Sequence, residues 1–260
     1  MTYFLNVLRI EFLKIRKSKV ILLTALAFSI APIMAGFFMF ILKNPTLAQQ
    51  SGLVGAKAQI AGEANWPSFI QLHAQMVGVG GLIVFGFMMS WVFGREFTDK
   101  TIKDLLILPY SRSIIVFAKF LSVLITSLLL SLYIIVFGII IGMVIGLPGW
   151  SVEVIQTNIA LFVNVTLLSI FVSTPVAFFA SYGRGYLAPL GYVIVTLVFA
   201  QIIAAIGYGT YFPWSIPALI GGLAGTPESL QWSQFFIIFF TSIIGVVGTL
   251  YWWRFADQHD

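Results

Sequence analysis

The sequence predicts an all-α polytopic membrane protein with six transmembrane helices. Of its 260 residues, 60% are hydrophobic and 9% are charged, and the mean hydropathy is +1.01. A soluble domain carries roughly 25% charged residues, so this composition is far outside the soluble range. Several apolar runs reach the length of about 20 residues that an α-helix needs to cross a bilayer. We therefore expect a single transmembrane domain that covers residues 1–260.

The chain begins with a predicted amphipathic helix over residues 1–19. Its apolar positions recur at helical spacing, at Leu5, Leu8, Phe12 and Ile15. Because its basic residues lie on other faces of the helix, we expect it to lie in the membrane interface. An uncharged run follows over residues 20–42 and continues well past Ala27, where a signal peptide would be cleaved. This run is predicted to stay as an uncleaved first span.

Six spans and one short element account for most of the remaining chain. The predicted spans cover residues 20–42, 73–93, 114–147, 155–181, 186–206 and 235–253. The third span contains Gly138, Gly142 and Gly146, a spacing that permits close helix packing, although glycine is common in membrane helices generally. The fourth contains Pro175. Residues 207–232 are rich in Gly and Pro and predict a short re-entrant or interfacial element, which requires a covered backbone.

The distribution of basic residues predicts the orientation in the membrane. Six spans place both termini on one side, and every Lys and Arg except Lys43 and Lys57 falls on that side. The positive-inside rule makes this side cytoplasmic, in a plasma membrane protein. Lipid headgroups then account for the net charge of +5, and no nucleic-acid partner is expected. Lys119 is expected to extend back to these headgroups, and His73 to be interfacial at the outer end of the second span.

The sequence contains no pattern typical of an enzyme. It has no cysteine, and its two histidines leave little basis for a zinc site, so no metal site is expected. Neither a G-x-S-x-G nor an H-E-x-x-H motif occurs, and no catalytic residue is predicted. No charged residue lies at the centre of a span, which argues against a secondary carrier. There is no P-loop, so energy for uphill transport would have to come from a partner.

Residues 93–112, "FGREFTDKTIKDLLILPYSR", concentrate seven charged residues between two apolar spans. Each would cost roughly 2.5 to 3.5 kcal/mol in hydrocarbon, so the segment is expected outside the bilayer core. Opposite charges four residues apart favour a helix; the pairs are Arg95 with Asp99, Glu96 with Lys100, Asp99 with Lys103, and Lys100 with Asp104. A helix could run continuously from residue 95, or a short one could begin at Thr101, which forms a T-x-x-D capping box. Either helix should end at Pro109, with Ser111 capping the third span.

Two interpretations of this segment remain open. A solvated loop that only fixes topology explains the basic residues, but the interleaved acids contribute little to orientation. An amphipathic helix with charges of both signs is better suited to bind another protein. The residues expected to form that docking surface are Arg95, Glu96, Asp99, Lys100, Thr101, Ile102, Lys103, Asp104, Leu105 and Leu106.

The same segment resembles the loop between the second and third spans of type-2 ATP-binding-cassette (ABC) exporter permeases. The similar features are Glu96 soon after the second span, the step from Thr101 into "KDLLILP", and "YSR" leading to "AKF" at residues 118–120. The resemblance extends over nearly the whole chain, through the basic N-terminal helix, the six spans and "YFPWSIPALIGG". Within the family, the chain is most similar to permeases of bacitracin-resistance and lantibiotic-immunity exporters.

This resemblance implies an exporter that works as a complex. Two permeases, identical or homologous, would bind two cytoplasmic ABC ATPase subunits, with ATP and Mg²⁺ on the ATPases and no cofactor on this chain. Residues 95–110 would contain the coupling helix, and residues 1–19 the connecting helix beside it. The expected substrate is amphipathic, an antimicrobial peptide or a lipid-linked compound removed from the membrane lipid. Asn164 and Gln201 are candidate residues of its pathway, although interhelical hydrogen bonds explain them as well.

Two other functions are consistent with parts of the sequence. A receptor or immunity protein that binds its ligand without transport would need no ATPase partner. A secondary carrier would need ionisable groups within the membrane, which the span centres lack.

Overall fold

The computed structural model describes residues 2–44, 63–107 and 109–255. Lys57 and most of the polar stretch between the first two spans lie outside the described residues, as does the side chain of Leu106. Every helix or strand assigned in the described ranges is a helix. The predicted all-α class is confirmed.

Ten α-helices and one 3₁₀ turn form this part of the chain. They are α1 (Thr2–Lys17), α2 (Val20–Lys43), α3 (Trp66–Thr98), α4 (Ile102–Ile107), α5 (Arg112–Ile145), α6 (Val152–Val172), α7 (Pro175–Tyr182), α8 (Leu187–Ala205), the 3₁₀ turn (Gly209–Tyr211), α9 (Ile216–Ile220) and α10 (Trp232–Phe255). Six segments are long and apolar enough to cross a membrane: α2, α3, α5, α6 with α7, α8 and α10. The predicted number of spans is confirmed, and α3 extends beyond the predicted 73–93 at both ends.

Side-chain caps set several helix boundaries. The side chain of Asn65 accepts a hydrogen bond from the backbone N–H of Ser68 at the start of α3. Ser111 accepts from the backbone N–H of Ile114, as predicted, and so caps α5. Gly146 has a φ of 68° and ends α5, because this left-handed conformation suits glycine.

The predicted fourth span is two helices rather than one. α6 ends at Val172, and Pro175 begins α7 instead of lying inside a continuous helix. Proline has no N–H to continue the hydrogen-bonding ladder, and its ring is suited to the first turn of a helix. The hydroxyls of Ser173 and Thr174 donate to the backbone carbonyls of Ser169 and Phe171, both at 2.8 Å. The break is therefore hydrogen-bonded by its own side chains.

α3 is the central helix and packs against α2, α5, α6, α7, α8 and α9. Gly142 of α5 faces it so closely that a Cβ there would lie 2.6 Å from the ring of Trp66, and Gly138 of α5 lies directly against His73. These two glycines support close packing, whereas Gly146 ends the helix. The prediction for His73 is wrong, because it is only 1% exposed and lies between helices, with Nδ1 bonded to the Phe69 carbonyl at 2.7 Å.

The element before the last span packs against the half of α3 nearest its N-terminus. A Cβ on Gly78 would lie 2.7 Å from the Cα of Ala218 in α9, so the two backbones are in close contact. The side-chain amide of Gln75 donates to the carbonyl of Gly222 at 2.9 Å, and Gln71 makes a similar bond nearby. Residues 215–222 are buried, so α3 covers the backbone that this element exposes.

Candidate functional site

A cluster of charged side chains lies where α1, the end of α3 and the start of α5 meet. It consists of two acids and two lysines: Glu11, Lys14, Glu96 and Lys119. Three of the four are almost completely buried, and the side chain of Lys14 is 24% exposed. Glu96 lies in the last turn of α3, directly before the segment that leads into α4.

Lys119 is the buried centre of this cluster. Its Nζ lies 3.0 Å from Oε2 of Glu11 on α1 and 2.9 Å from Oε1 of Glu96 on α3. The same ammonium donates to the backbone carbonyl of Val92 at 3.0 Å. Its three N–H groups therefore have three acceptors, and one side chain of α5 joins three helices.

Lys14 and Thr101 complete the network. Nζ of Lys14 lies 2.9 Å from Oε1 of Glu11 and 2.7 Å from Oε1 of Glu96. The hydroxyl of Thr101 donates to Oε2 of Glu96 at 2.8 Å, and its backbone N–H donates to the Glu96 carbonyl at 2.9 Å. Because Thr101 directly precedes α4, Glu96 connects that helix to α1 and α5.

The cluster is balanced in charge, and this balance is what makes its burial tolerable. Removing one member of a buried ion pair typically costs about 3 to 5 kcal/mol, because the remaining charge has no partner. Here each carboxylate contacts both lysines, so the loss of either lysine leaves two buried acids with one cation. The four helical segments are thereby held in one arrangement.

Lys119 corrects the sequence prediction. It was expected to reach the headgroups, but its side chain is 0% exposed and its charge is neutralised within the protein. The sequence signal was Glu11, the single acid among the basic residues of 1–19. An isolated acid in a basic helix and an isolated lysine in an apolar helix could have been matched as partners.

The charged segment turns sharply between α3 and α4. α3 ends at Thr98 and α4 begins at Ile102, so the short helix forms and the continuous helix from residue 95 does not. Lys100 lies at the turn with a φ of 56°, which is uncommon for a residue other than glycine. Of the predicted pairs, Arg95 with Asp99 forms at 3.0 Å. Glu96 was predicted to pair with Lys100 but pairs with Lys14 of α1.

The apolar face of α4 points towards the chain's own core. Ile102 and Leu105 are 6% and 9% exposed and belong to the main hydrophobic cluster. Among the side chains of α4 that the structure describes, the exposed ones are Lys103, Asp104 and Ile107, and Ile107 is 81% exposed. A protein that docks here would therefore meet these three residues, not the face formed by Ile102 and Leu105.

The two predicted pathway residues lie in different places. Asn164 of α6 lines a groove of about 950 Å³ between α5, α6 and α10. Gln201 of α8 lines a small crevice beside α9, with Trp214 and Ser215. The structure does not bring the two side chains into one site.

Comparison with known proteins identifies the chain. Residues 7–203 match the family model described as "ABC-2 family transporter protein", which covers most of the chain, from α1 into α8. The chain belongs to the ABC-2 transporter family. The resemblance recognised in the sequence is thus confirmed.

One curated relative carries a more specific name. The chain is 24% identical over 192 residues to the bacitracin transport permease protein BCRB of Bacillus licheniformis, covering 74% of this chain and 92% of that protein. Together with the six candidate spans, this makes the chain a multi-pass membrane protein and the permease subunit of an ABC transporter. Membership of the family implies association with an ABC ATPase.

Proposed function

We propose that this ABC-2 permease is an exporter subunit in which ATP hydrolysis on a separate ATPase drives outward movement of an amphipathic substrate. In this proposal the ATPase binds the exposed side of α4. The movement of α4 then passes through the buried charge cluster to α1, α3 and α5.

The charge cluster is the observation that supports this proposal most. Thr101 at the base of α4 bonds to Glu96, and Glu96 shares both lysines with Glu11. A short helix tied in this way cannot shift alone, because a shift would separate buried charges from their partners. A displacement imposed on α4 is therefore carried into two spanning helices.

The described residues of the proposed docking surface are Lys103, Asp104 and Ile107 on α4, with Asp99 and Lys100 in the adjoining turn. All five are exposed, and they combine one apolar side chain with charges of both signs. Electrostatic complementarity at such a surface favours a specific partner and a fast encounter. Ile102 and Leu105 pack into the hydrophobic core of the permease, and so hold α4 in place with its other side exposed.

The remaining parts of the complex follow the family. Two ATPase subunits that carry ATP and Mg²⁺ would bind a pair of permeases, identical or homologous. Both termini, α1 and α4 would be cytoplasmic, because the basic residues at that end satisfy the positive-inside rule. In this arrangement α1 lies in the membrane interface with its basic side towards the headgroups.

The name of the relative supports a substrate class. Because BCRB is named a bacitracin transport permease, an antimicrobial peptide or a lipid-linked compound is the substrate proposed for this chain. Resistance or immunity would be the result of removing it from the membrane.

Substitution of Ile107 by aspartate tests the docking surface. A charge in place of this exposed apolar side chain should prevent ATPase association and transport while membrane insertion stays intact. The measurement is purification in mild detergent, with an ABC ATPase identified by mass spectrometry, beside a resistance assay in cells. Leu187→Asp is the matched control, because Leu187 is 90% exposed at the same end of the bundle but outside α4.

The two outcomes separate the exporter from a receptor. Loss of the ATPase with Ile107→Asp and its retention with Leu187→Asp support the exporter. Resistance that persists without any ATPase recovered with the unaltered chain would favour a receptor or immunity protein and contradict the proposal.

A further inference from the structure

Arg112 is the last of the seven charged residues in the segment 93–112, and it is not part of the proposed docking surface. It is the first residue of α5 and directly follows residues 99–111, which contain α4 and are called the α4 segment below. Its Nη1 donates to the backbone carbonyls of Trp253 and Arg254, at 3.0 and 3.3 Å. Arg112 therefore joins the end of the α4 segment to the last turn of α10.

The contact satisfies groups that a helix leaves without partners. The carbonyls of Trp253 and Arg254 are among the last four of α10, which accept no hydrogen bond within the helix. A positive charge is also favourable at this end of the helix dipole. Because one guanidinium holds both carbonyls, a shift of Arg112 breaks these bonds unless α10 moves with it.

Trp253 is the residue of α10 that receives most of these contacts. It is 1% exposed, and its Nε1 donates to Oγ of Ser181 on α7 at 2.9 Å. Its ring centroid lies 6.1 Å from that of Phe97, in the last turn of α3. Phe97 lies just before the α4 segment and Arg112 lies just after it. Both ends of the segment therefore contact the same turn of α10.

α10 and α7 are joined to each other along their length. Besides the bond between Trp253 and Ser181, a Cβ on Gly245 would lie 2.5 Å from the backbone N of Pro175, which begins α7. The hydroxyl of Ser242 donates to the carbonyl of Phe171, just before the break between α6 and α7, at 2.9 Å. A displacement of the last turn of α10 is therefore shared by α7.

α10 is also suited to carry a displacement to the other end of the bundle. It has 24 residues, about 36 Å at 1.5 Å per residue, and no proline interrupts it. It packs against the 3₁₀ turn Gly209–Tyr211, which belongs to the element of residues 209–222 before it. The four members of the charge cluster lie on α1, α3 and α5, so that cluster does not include α10.

We infer that Arg112 is a positioning residue through which movement of the α4 segment reaches α10 and, through α10, the element of residues 209–222. This inference rests on the proposed function, because the movement begins with an ATPase bound at α4. Arg112 acts through the carbonyls of Trp253 and Arg254, and not by contact with the ATPase. The charge cluster and Arg112 thus transmit the same movement to different helices.

Three substitutions separate this role from docking. Arg112→Met removes both hydrogen bonds and should abolish transport, while the ATPase is recovered in the same amount as with the unaltered chain. Arg112→Lys keeps a positive donor and should restore transport. Arg254→Met is the matched control and should change neither property, because this exposed guanidinium lies 5.3 Å from the ring centroid of Phe255 and its carbonyl stays in place. Melting temperatures show whether each variant folds, and Arg112→Gln replaces Arg112→Met if that variant does not.

A spin label on α10 measures the movement itself. The chain has no cysteine, and Tyr251 is 65% exposed near the end of α10, so Tyr251→Cys places one nitroxide there. Addition of ATP and vanadate to the complex with the ATPase should change the electron paramagnetic resonance spectrum in the unaltered background, in Arg112→Lys and in Arg254→Met, but not in Arg112→Met.

The outcomes distinguish this inference from the proposed function. With the ATPase bound, a spectral change that survives Arg112→Met, or one that is absent from the unaltered background, would overturn the role of Arg112 and leave the exporter standing. Loss of the ATPase from Arg112→Met would make Arg112 part of the docking surface and would also overturn it. Failure to recover an ATPase with the unaltered chain would overturn the proposed function, and this inference with it.

Discussion

Replacement of Lys119 by methionine is the most direct test of the buried charge cluster. Methionine keeps the length and apolar stem of lysine but removes the charge that lies 3.0 Å from Glu11 and 2.9 Å from Glu96. Both carboxylates then depend on Lys14 alone. Because breaking a buried ion pair by removing one partner costs about 3 to 5 kcal/mol, we expect the free energy of unfolding to fall by that amount.

A second substitution separates charge balance from packing. Glu11→Gln combined with Lys119→Met leaves one buried carboxylate, on Glu96, with one lysine, Lys14. The double variant should therefore be less destabilised than the sum of the two single variants, with a coupling of about 1 to 3 kcal/mol. An exposed control is Arg95→Met, which removes a partly exposed ion pair and should cost less than about 1 kcal/mol.

The assay is unfolding in mixed micelles, followed through the fluorescence of the chain's tryptophans. Five proteins are titrated with a denaturing detergent under the same conditions: the unaltered chain, Lys119→Met, Glu11→Gln, the double variant and Arg95→Met. The coupling is read from the double-mutant cycle formed by the first four. Additive effects, within about 0.5 kcal/mol, would show that Glu11 and Lys119 do not act as one network, and would refute the reasoning.

The contact between α3 and α9 gives two further predictions. Gly78→Ala should destabilise the protein, because the new Cβ would lie 2.7 Å from the Cα of Ala218. Gly80→Ala places its Cβ in open space and should be neutral or stabilising by up to about 1 kcal/mol. The melting temperatures of the two variants are compared, and equal shifts would contradict the close contact. Gln75→Leu removes the side-chain donor to the carbonyl of Gly222, which keeps only the backbone N–H of Gly225. The loss should cost about 0.5 to 1.5 kcal/mol and speed hydrogen exchange in residues 216–225. Unchanged exchange there would show that this hydrogen bond does not hold the element.

The sequence predicted the spans well, because a long uncharged run has few alternatives to a transmembrane helix. The predicted ends of the spans were less accurate where polar residues belong to a helix, as in the first turns of α3 after Trp66. The break before Pro175 was missed because a membrane helix tolerates proline when its neighbours supply hydrogen bonds. The sequence shows the proline, but it does not show whether the helix continues through it or breaks before it.

The candidate site was predicted only in part. The segment after the second span was recognised by its charges, and Glu96 and Thr101 were among its named residues. The partners of Glu96 outside this segment are Lys14 and Lys119, which lie 82 and 23 residues away from it in the sequence, so local spacing could not pair them. Likewise, periodicity identified the apolar face of α4 but not whether it covers its own chain or a partner.

Cross-linking at Ile107 tests the central claim that α4 is the surface through which an ATPase acts on this permease. The chain has no cysteine, so Ile107→Cys provides a single reactive thiol at an exposed position of α4. Val144→Cys is the control, because Val144 is 83% exposed at the opposite end of α5. When membranes that contain the cognate ATPase are treated with a thiol-reactive cross-linker, the ATPase should become joined to the Ile107→Cys variant and not to the Val144→Cys variant. An ATPase recovered equally with both variants, or with neither while transport continues, would contradict the account.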